Sequence, residues 1–109
     1  MRNDATILKL LDTLMLALDI DASKKALDLL AEIAGYLIDA GETTQAAQVV
    51  AFVSNQPQVS RLTSALTEQL FIQLAEEMYP IEIRDVLVFA QRATFEDVIR
   101  TILETTHSS

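Results

Sequence analysis

The stretch from Leu27 to Pro57 constrains the fold more than any other, because two runs of helical periodicity flank a single short break. Glycine tolerates the left-handed backbone that ends many helices, so Gly41 supplies that break. We therefore predict a hairpin of two antiparallel helices. Apolar residues recur in it at intervals of three and four, as an amphipathic helix requires, at Leu27, Leu30, Ile33, Ala34, Leu37 and Ile38, then at Ala46, Ala47, Val49, Val50 and Val53.

The same periodicity continues on both sides of the hairpin and predicts an all-α fold of about six helices. Val, Ile and Phe also favour strands, so a short strand stays open as the alternative at residues 49–53 and 81–83. No long linker separates the segments, and we expect one domain over residues 1–105 with a disordered tail over 106–109. The predicted helices are residues 4–19, the two arms of the hairpin, a segment from Pro57 to about Met78, one starting at Pro80 and one capped by Thr94.

The fourth and sixth of these helices carry the clearest local signals. Proline lacks the amide that would be unpaired in a first helical turn, so Pro57 is expected to begin helix four. Thr94 and Asp97 stand three residues apart, as in a capping box at the start of helix six. We expect the buried side of helix four to be Leu62, Leu66, Leu70, Leu74, Phe71 and Met78.

Charge and composition exclude several classes of function. The 109 residues include 16 acidic and 8 basic side chains, a net charge of −8, which opposes binding to nucleic acid or to an anionic membrane. The chain has no cysteine, so disulfides and thiolate metal sites are excluded. No leader or membrane-spanning pattern is evident. We therefore expect a soluble cytoplasmic protein.

No constellation of side chains predicts chemistry. The one histidine, His107, lies in a polar segment with no partner residue nearby in the sequence. Asp19, Asp21 and Ser23 resemble the start of a calcium loop but lack its glycine and glutamate, so we interpret them as helix-capping residues. An acidic corner is interpreted as solvated surface. It consists of Glu76, Glu77, Glu82 and Asp85. We expect no enzyme activity, no cofactor and no metal.

The hairpin resembles a tetratricopeptide repeat. Gly41 matches its turn glycine and Pro57 the proline that follows the second helix, while Leu30 replaces the usual aromatic residue and Ala34 the usual glycine. Residues 79–82 and 91–98 look like the C-terminal end of large bacterial regulators that contain these repeats. The resemblance implies hairpins stacked in a right-handed array, closed by a polar-faced last helix. The remaining matches are Ile33, Ala46, Val50 and Val53.

The resemblance also implies a protein-interaction scaffold, the terminal part of such an array in a bacterial signalling or regulatory protein. A basic or amphipathic peptide is the expected partner of this acidic chain. Gly35 lies inside a helix, where glycine costs about 0.5–1 kcal/mol relative to alanine. It predicts either close packing of another helix or a smooth floor for a partner. The implied partner contacts are Asp28, Ala31, Gly35, Ile38 and Asp39.

An alternative hypothesis is a structural module that forms a two-fold homodimer. Helix one is apolar on more than one side, and a helix of that kind needs neighbours on more than one side. The residues expected at such an interface are Ile7, Leu11, Leu14 and Leu18.

Overall fold

The computed structural model describes residues 4–107, and this part of the chain consists of α-helices joined by short turns. The all-α class and the six predicted helices are confirmed. The described residues contain no strand, so residues 49–53 and 81–83 are helical. The helices are α1 (Asp4–Asp19), α2 (Ser23–Asp39), α3 (Thr43–Ser54), α4 (Arg61–Ala75), α5 (Pro80–Arg92) and α6 (Phe95–His107).

Helix α3 lies at the centre of the fold and packs against α2, α4, α5 and α6, while α1 covers the other side of α2. A helical segment that is apolar all round is stable only where neighbours surround it, and residues 49–53 of α3, which are all buried, fit this description. One hydrophobic core draws buried residues from all six helices. The buried residues of α3 are Ala46, Ala47, Val49, Val50, Ala51, Phe52 and Val53.

Helices α2 and α3 form the predicted hairpin, but α4 and α5 do not pair in this way. Within residues 4–107 these two consecutive helices barely contact each other, and each packs on α3 instead. In an array of stacked hairpins the two arms of each hairpin pack together, which α4 and α5 do not do. The tetratricopeptide-like array is therefore not confirmed and stays a prediction.

The α1–α2 and α2–α3 turns have the same backbone geometry. Each contains one residue with positive φ, Asp21 at 60° and Gly41 at 80°. Its amide donates to the carbonyl three positions earlier, and the next amide donates to the carbonyl five positions earlier, at N···O distances between 2.8 and 3.2 Å. These two bonds define the Schellman motif. The donor–acceptor pairs are Asp21–Leu18 and Ala22–Ala17, then Gly41–Ile38 and Glu42–Leu37.

The starts of α4 and α6 are set by side-chain caps. Helix α4 begins at Arg61 and not at Pro57, because the Ser60 hydroxyl oxygen accepts a hydrogen bond from the Thr63 amide at 3.2 Å. The capping box of α6 is confirmed. The amide of Thr94 donates to the Asp97 carboxylate at 3.0 Å, and the Asp97 amide donates to the Thr94 hydroxyl at 3.2 Å.

Helix α6 continues to His107 and so includes the first two residues, 106 and 107, of the segment predicted to be a disordered tail. Thr105 and Thr106 are buried. The Thr106 hydroxyl donates to the carbonyl of Leu103 at 2.9 Å, which satisfies it within the helix. Of the predicted tail, residues 108–109 lie outside the described residues.

Candidate interaction surfaces

Two of the five expected partner contacts on α2 are used inside the molecule. The Asp28 carboxylate accepts a hydrogen bond from the Thr63 hydroxyl of α4 at 2.6 Å. Ala31 is buried. Both side chains therefore help to hold α2 in the fold, and neither is free to form a partner surface as the structure stands.

The other three expected contacts line a shallow groove between α2 and α4. Gly35, Ile38 and Asp39 border a space of about 420 Å³ that Leu70 of α4 closes on the far side. A methyl group added at Gly35 would meet nothing within 4 Å. No other helix of the described chain packs closely on Gly35, so of the two interpretations of this glycine the open floor agrees with the structure.

Helix α4 is rotated relative to the sequence prediction. Leu74 is buried, at 4% exposure, but Leu62 is 85% exposed and Leu66 is also exposed. Each step of four residues advances about 40° around a helix of 3.6 residues per turn, so the row from Leu62 to Leu74 winds through about 120°. The prediction of a single buried side was wrong for Leu62 and Leu66.

Polar side chains occupy the inner side of α4 in their place. Thr67 is fully buried, and its hydroxyl accepts a hydrogen bond from the Ser54 hydroxyl of α3 at 2.9 Å. The same hydroxyl donates to the carbonyl of Thr63 at 2.9 Å. Buried polar groups need such partners, so Thr67–Ser54 and Thr63–Asp28 fix the rotation of α4. That rotation turns Leu62 and Leu66 outward.

Two apolar features result on the α4 side of the molecule. The first, the α4 outer face, consists of Leu62, Ala65, Leu66, Gln69 and Ile72, with Glu68 beside it. The second, the α4–α5 cleft, is a space of about 260 Å³ with α3 as its floor. Ile72, which is 62% exposed, belongs to both features. The cleft is lined by Ala51, Ser54, Asn55, Glu68, Phe71, Ile72 and Leu87.

The side chains expected at a dimer interface on α1 lie in or against the core. Ile7, Leu11 and Leu14 are buried, and Leu18 is half-buried against the same core. They stabilise the monomer, so a dimer through α1 would have to use other residues. Helix α1 does leave three large apolar side chains exposed, namely Leu8, Met15 and Leu16, and Ile20 is exposed in the turn that follows it.

In the acidic corner, Glu82 has a structural partner and Asp85 lies in solvent. The Glu82 carboxylate accepts a hydrogen bond from the Tyr79 amide at 2.9 Å, at the start of α5. Asp85 is exposed beside Arg84, at 3.8 Å. Among residues 4–107, no three His, Cys, Asp or Glu side chains are grouped as metal ligands.

The predicted capping role of Asp21 and Ser23 was wrong. The N-cap of α2 is Ala22, and no side chain caps this helix. Asp21 supplies the left-handed residue of the turn instead. Side-chain hydroxyls do cap α4 and α6, at Ser60 and Thr94.

Compared with protein-family models, with curated proteins and with solved structures, the chain matches none. None of the helices between residues 4 and 107 has the length and apolar character needed to cross a bilayer.

Proposed function

We propose that this chain is a non-enzymatic protein-interaction module. The observation that supports the proposal is the α4 outer face, where Leu62, Leu66 and Ile72 are exposed on one helix. Contiguous exposed apolar side chains commonly mark sites of protein contact. Because the hydrogen bonds of Asp28 and Ser54 hold α4 in place, this surface is already formed before a partner arrives, which lowers the entropic cost of binding.

The resemblance to tetratricopeptide repeats gives the proposal its setting. We place the chain at the terminal end of a repeat array in a bacterial signalling or regulatory protein of the cytoplasm. Two features of the sequence support this setting, the hairpin with its turn at Gly41 and the polar outer side of the last helix. On that helix Glu96, Arg100 and Glu104 are exposed, as a capping helix requires.

A capture experiment with matched variants tests the interaction role. The tagged chain is expressed in its source cells, crosslinked, and its neighbours quantified by mass spectrometry. We compare the wild type with Leu62→Glu/Leu66→Glu and with Gln91→Glu, a charge change at an exposed polar position of α5. A partner retained by wild type and Gln91→Glu should fall at least about tenfold with the double variant, which removes two apolar anchors. Finding no protein that distinguishes the variants would contradict the proposal.

Homodimerisation through α1 is the second candidate function. It is favoured by the exposed side chains of Leu8, Met15 and Leu16 on α1 and of Ile20 in the turn after it. Light scattering after size exclusion should then give twice the 12.1 kDa chain mass, and Leu16→Glu should return it to a monomer. A wild-type monomer across a wide range of concentration would exclude this candidate.

A further inference from the structure

The α4–α5 cleft exists because two consecutive helices pack on α3 and not on each other. Its walls are apolar, formed by Phe71 and Ile72 on one side and Leu87 on the other. Phe71 is half-buried, while Ile72 and Leu87 are exposed. The fold therefore leaves a trough bordered by two helices, in which the apolar side chains of Ile72 and Leu87 are exposed to solvent.

The size and surroundings of the trough favour a helix as its occupant. Sites that enclose a small molecule measure about 300–1,000 Å³ and bury most of the ligand, whereas this cleft is about 260 Å³ and open to solvent. Residues 4–107 contain no strand, so no sheet edge is present there for an extended peptide to join. A trough between two helices accepts the apolar stripe of a third helix, with anchors spaced three and four residues apart.

The negative charge at the cleft and on the whole chain indicates which kind of partner helix it would bind. Glu68 is the only ionisable side chain that lines the cleft within the described residues, and the chain carries a net charge of −8. Both favour a partner whose apolar stripe is flanked by lysine or arginine, and both oppose a second copy of this acidic chain.

We propose that the α4–α5 cleft binds one amphipathic helix of a partner protein, with apolar anchors against Ile72 and Leu87 and a basic side chain paired with Glu68. This inference rests on the proposed interaction role and adds the site and the chemistry of the partner.

Fluorescence anisotropy with designed peptides tests the site. The probe is a labelled peptide of about 18 residues, long enough to form a helix on binding, with leucines at spacings of three and four and lysines elsewhere. Ile72→Gln/Leu87→Gln should weaken its binding at least about tenfold, since two buried anchors are lost. The control is Leu16→Gln, the same chemical change at an exposed leucine of α1, which should bind as the wild type does. Circular dichroism confirms that each variant is folded.

The same assay tests the charge. Glu68→Gln should weaken the lysine peptide about threefold to tenfold, as expected for losing a cross-interface pair. Glu96→Gln removes an equal charge at an exposed residue of α6 that does not line the cleft, and it should leave binding within about twofold. With Glu68→Lys, a peptide carrying glutamates in place of lysines should bind more tightly than it binds the wild type.

Several results would overturn the inference. They are no binding of the lysine peptide, equal binding of a peptide with its leucines spread around the helix, no effect of Ile72→Gln/Leu87→Gln, and an equal effect of Glu96→Gln and Glu68→Gln. A wild-type dimer that Leu87→Gln dissociates would overturn it too, since the occupant would be a second copy.

Failure here is distinguishable from failure of the proposed function. The capture experiment depends on Leu62 and Leu66, which lie outside the cleft. If a partner is captured through these leucines while the cleft variants bind the peptide as tightly as the wild type does, only the cleft proposal is rejected. If neither assay detects binding, both proposals are rejected.

Discussion

Asp21 and Gly41 occupy equivalent positions in two Schellman turns, twenty residues apart, and both have left-handed backbones. Glycine adopts this conformation without steric cost, but the Cβ of other L-residues approaches the neighbouring carbonyl oxygen. Asp is among the non-glycine residues that tolerate this conformation best, but its Cβ still makes part of the unfavourable steric contact. The α1–α2 turn therefore stores strain that the α2–α3 turn avoids.

Exchanging the two residue types should move stability in opposite directions. We expect Asp21→Gly to raise the free energy of unfolding by about 0.5 kcal/mol, and Gly41→Ala to lower it by about 1 kcal/mol or more. No atom would crowd a methyl group at Gly41 within 4 Å, so that loss is conformational. Urea unfolding followed by circular dichroism measures both. Asp12→Gly, in the middle of α1, is the control and should destabilise by about 0.5–1 kcal/mol. A loss with Asp21→Gly would contradict the strain.

The rotation of α4 predicts unequal roles for two leucines of one helix. Leu62→Ala should change the free energy of unfolding by less than about 0.5 kcal/mol, because its side chain is already in water. Leu74→Ala should cost about 2–4 kcal/mol, since it removes buried methyl groups and leaves a cavity. Thermal or urea unfolding of the pair checks this. Equal losses would mean that α4 packs with Leu62 inward, as the sequence pattern suggests.

These leucines show how far sequence reasoning reaches. Local signals served well: the bounds of α1, the start of α5 at Pro80 and the Thr94–Asp97 box depend on neighbouring residues and were predicted. The face that α4 buries depends on Thr63 and Thr67, whose partners lie on other helices. No pattern within α4 identifies those partners, so four leucines at equal spacing predicted one buried side, which holds for Leu70 and Leu74 but not for Leu62 and Leu66.

The start of α4 was a different kind of error, because the signal was present. Both Pro57 and Ser60 are residue types that begin helices, as a first-turn residue and as a cap respectively. The helix begins after Ser60, because the Ser60 hydroxyl accepts a hydrogen bond from an amide of the first turn. Proline at the first position adds no such bond; it only lacks an amide that would otherwise be unpaired.

The hydrogen bond between Ser54 and Thr67 should show coupling. Thr67→Val keeps the shape of the side chain but leaves the Ser54 hydroxyl without its acceptor, at a cost of about 1–2 kcal/mol. Adding Ser54→Ala removes the orphaned hydroxyl, so the double variant should be more stable than the sum of the single losses predicts, by about 1 kcal/mol. A double-mutant cycle by urea unfolding measures this term. Strict additivity would mean that the two hydroxyls do not interact.

Leu11 and Leu16 on α1 should respond differently to a charge. Leu11 is 2% exposed and Leu16 is 60% exposed. Leu11→Glu should unfold the chain or cost more than about 4 kcal/mol, because it buries an unpaired carboxylate. Leu16→Glu should stay within about 0.5 kcal/mol of the wild type. Circular dichroism decides the outcome, and a folded Leu11→Glu chain would show that α1 can turn about its axis.

The central position of α3 also decides the order in which the molecule opens. Helices α4, α5 and α6 are each at the periphery, and each can detach while α3 keeps its other neighbours. The amides of α3 become free only when several of those helices have left. Native-state hydrogen exchange should therefore be slowest in α3, at the free energy of global unfolding. Binding in the α4–α5 cleft, which α3 floors, would then slow the exchange of helices that otherwise open independently.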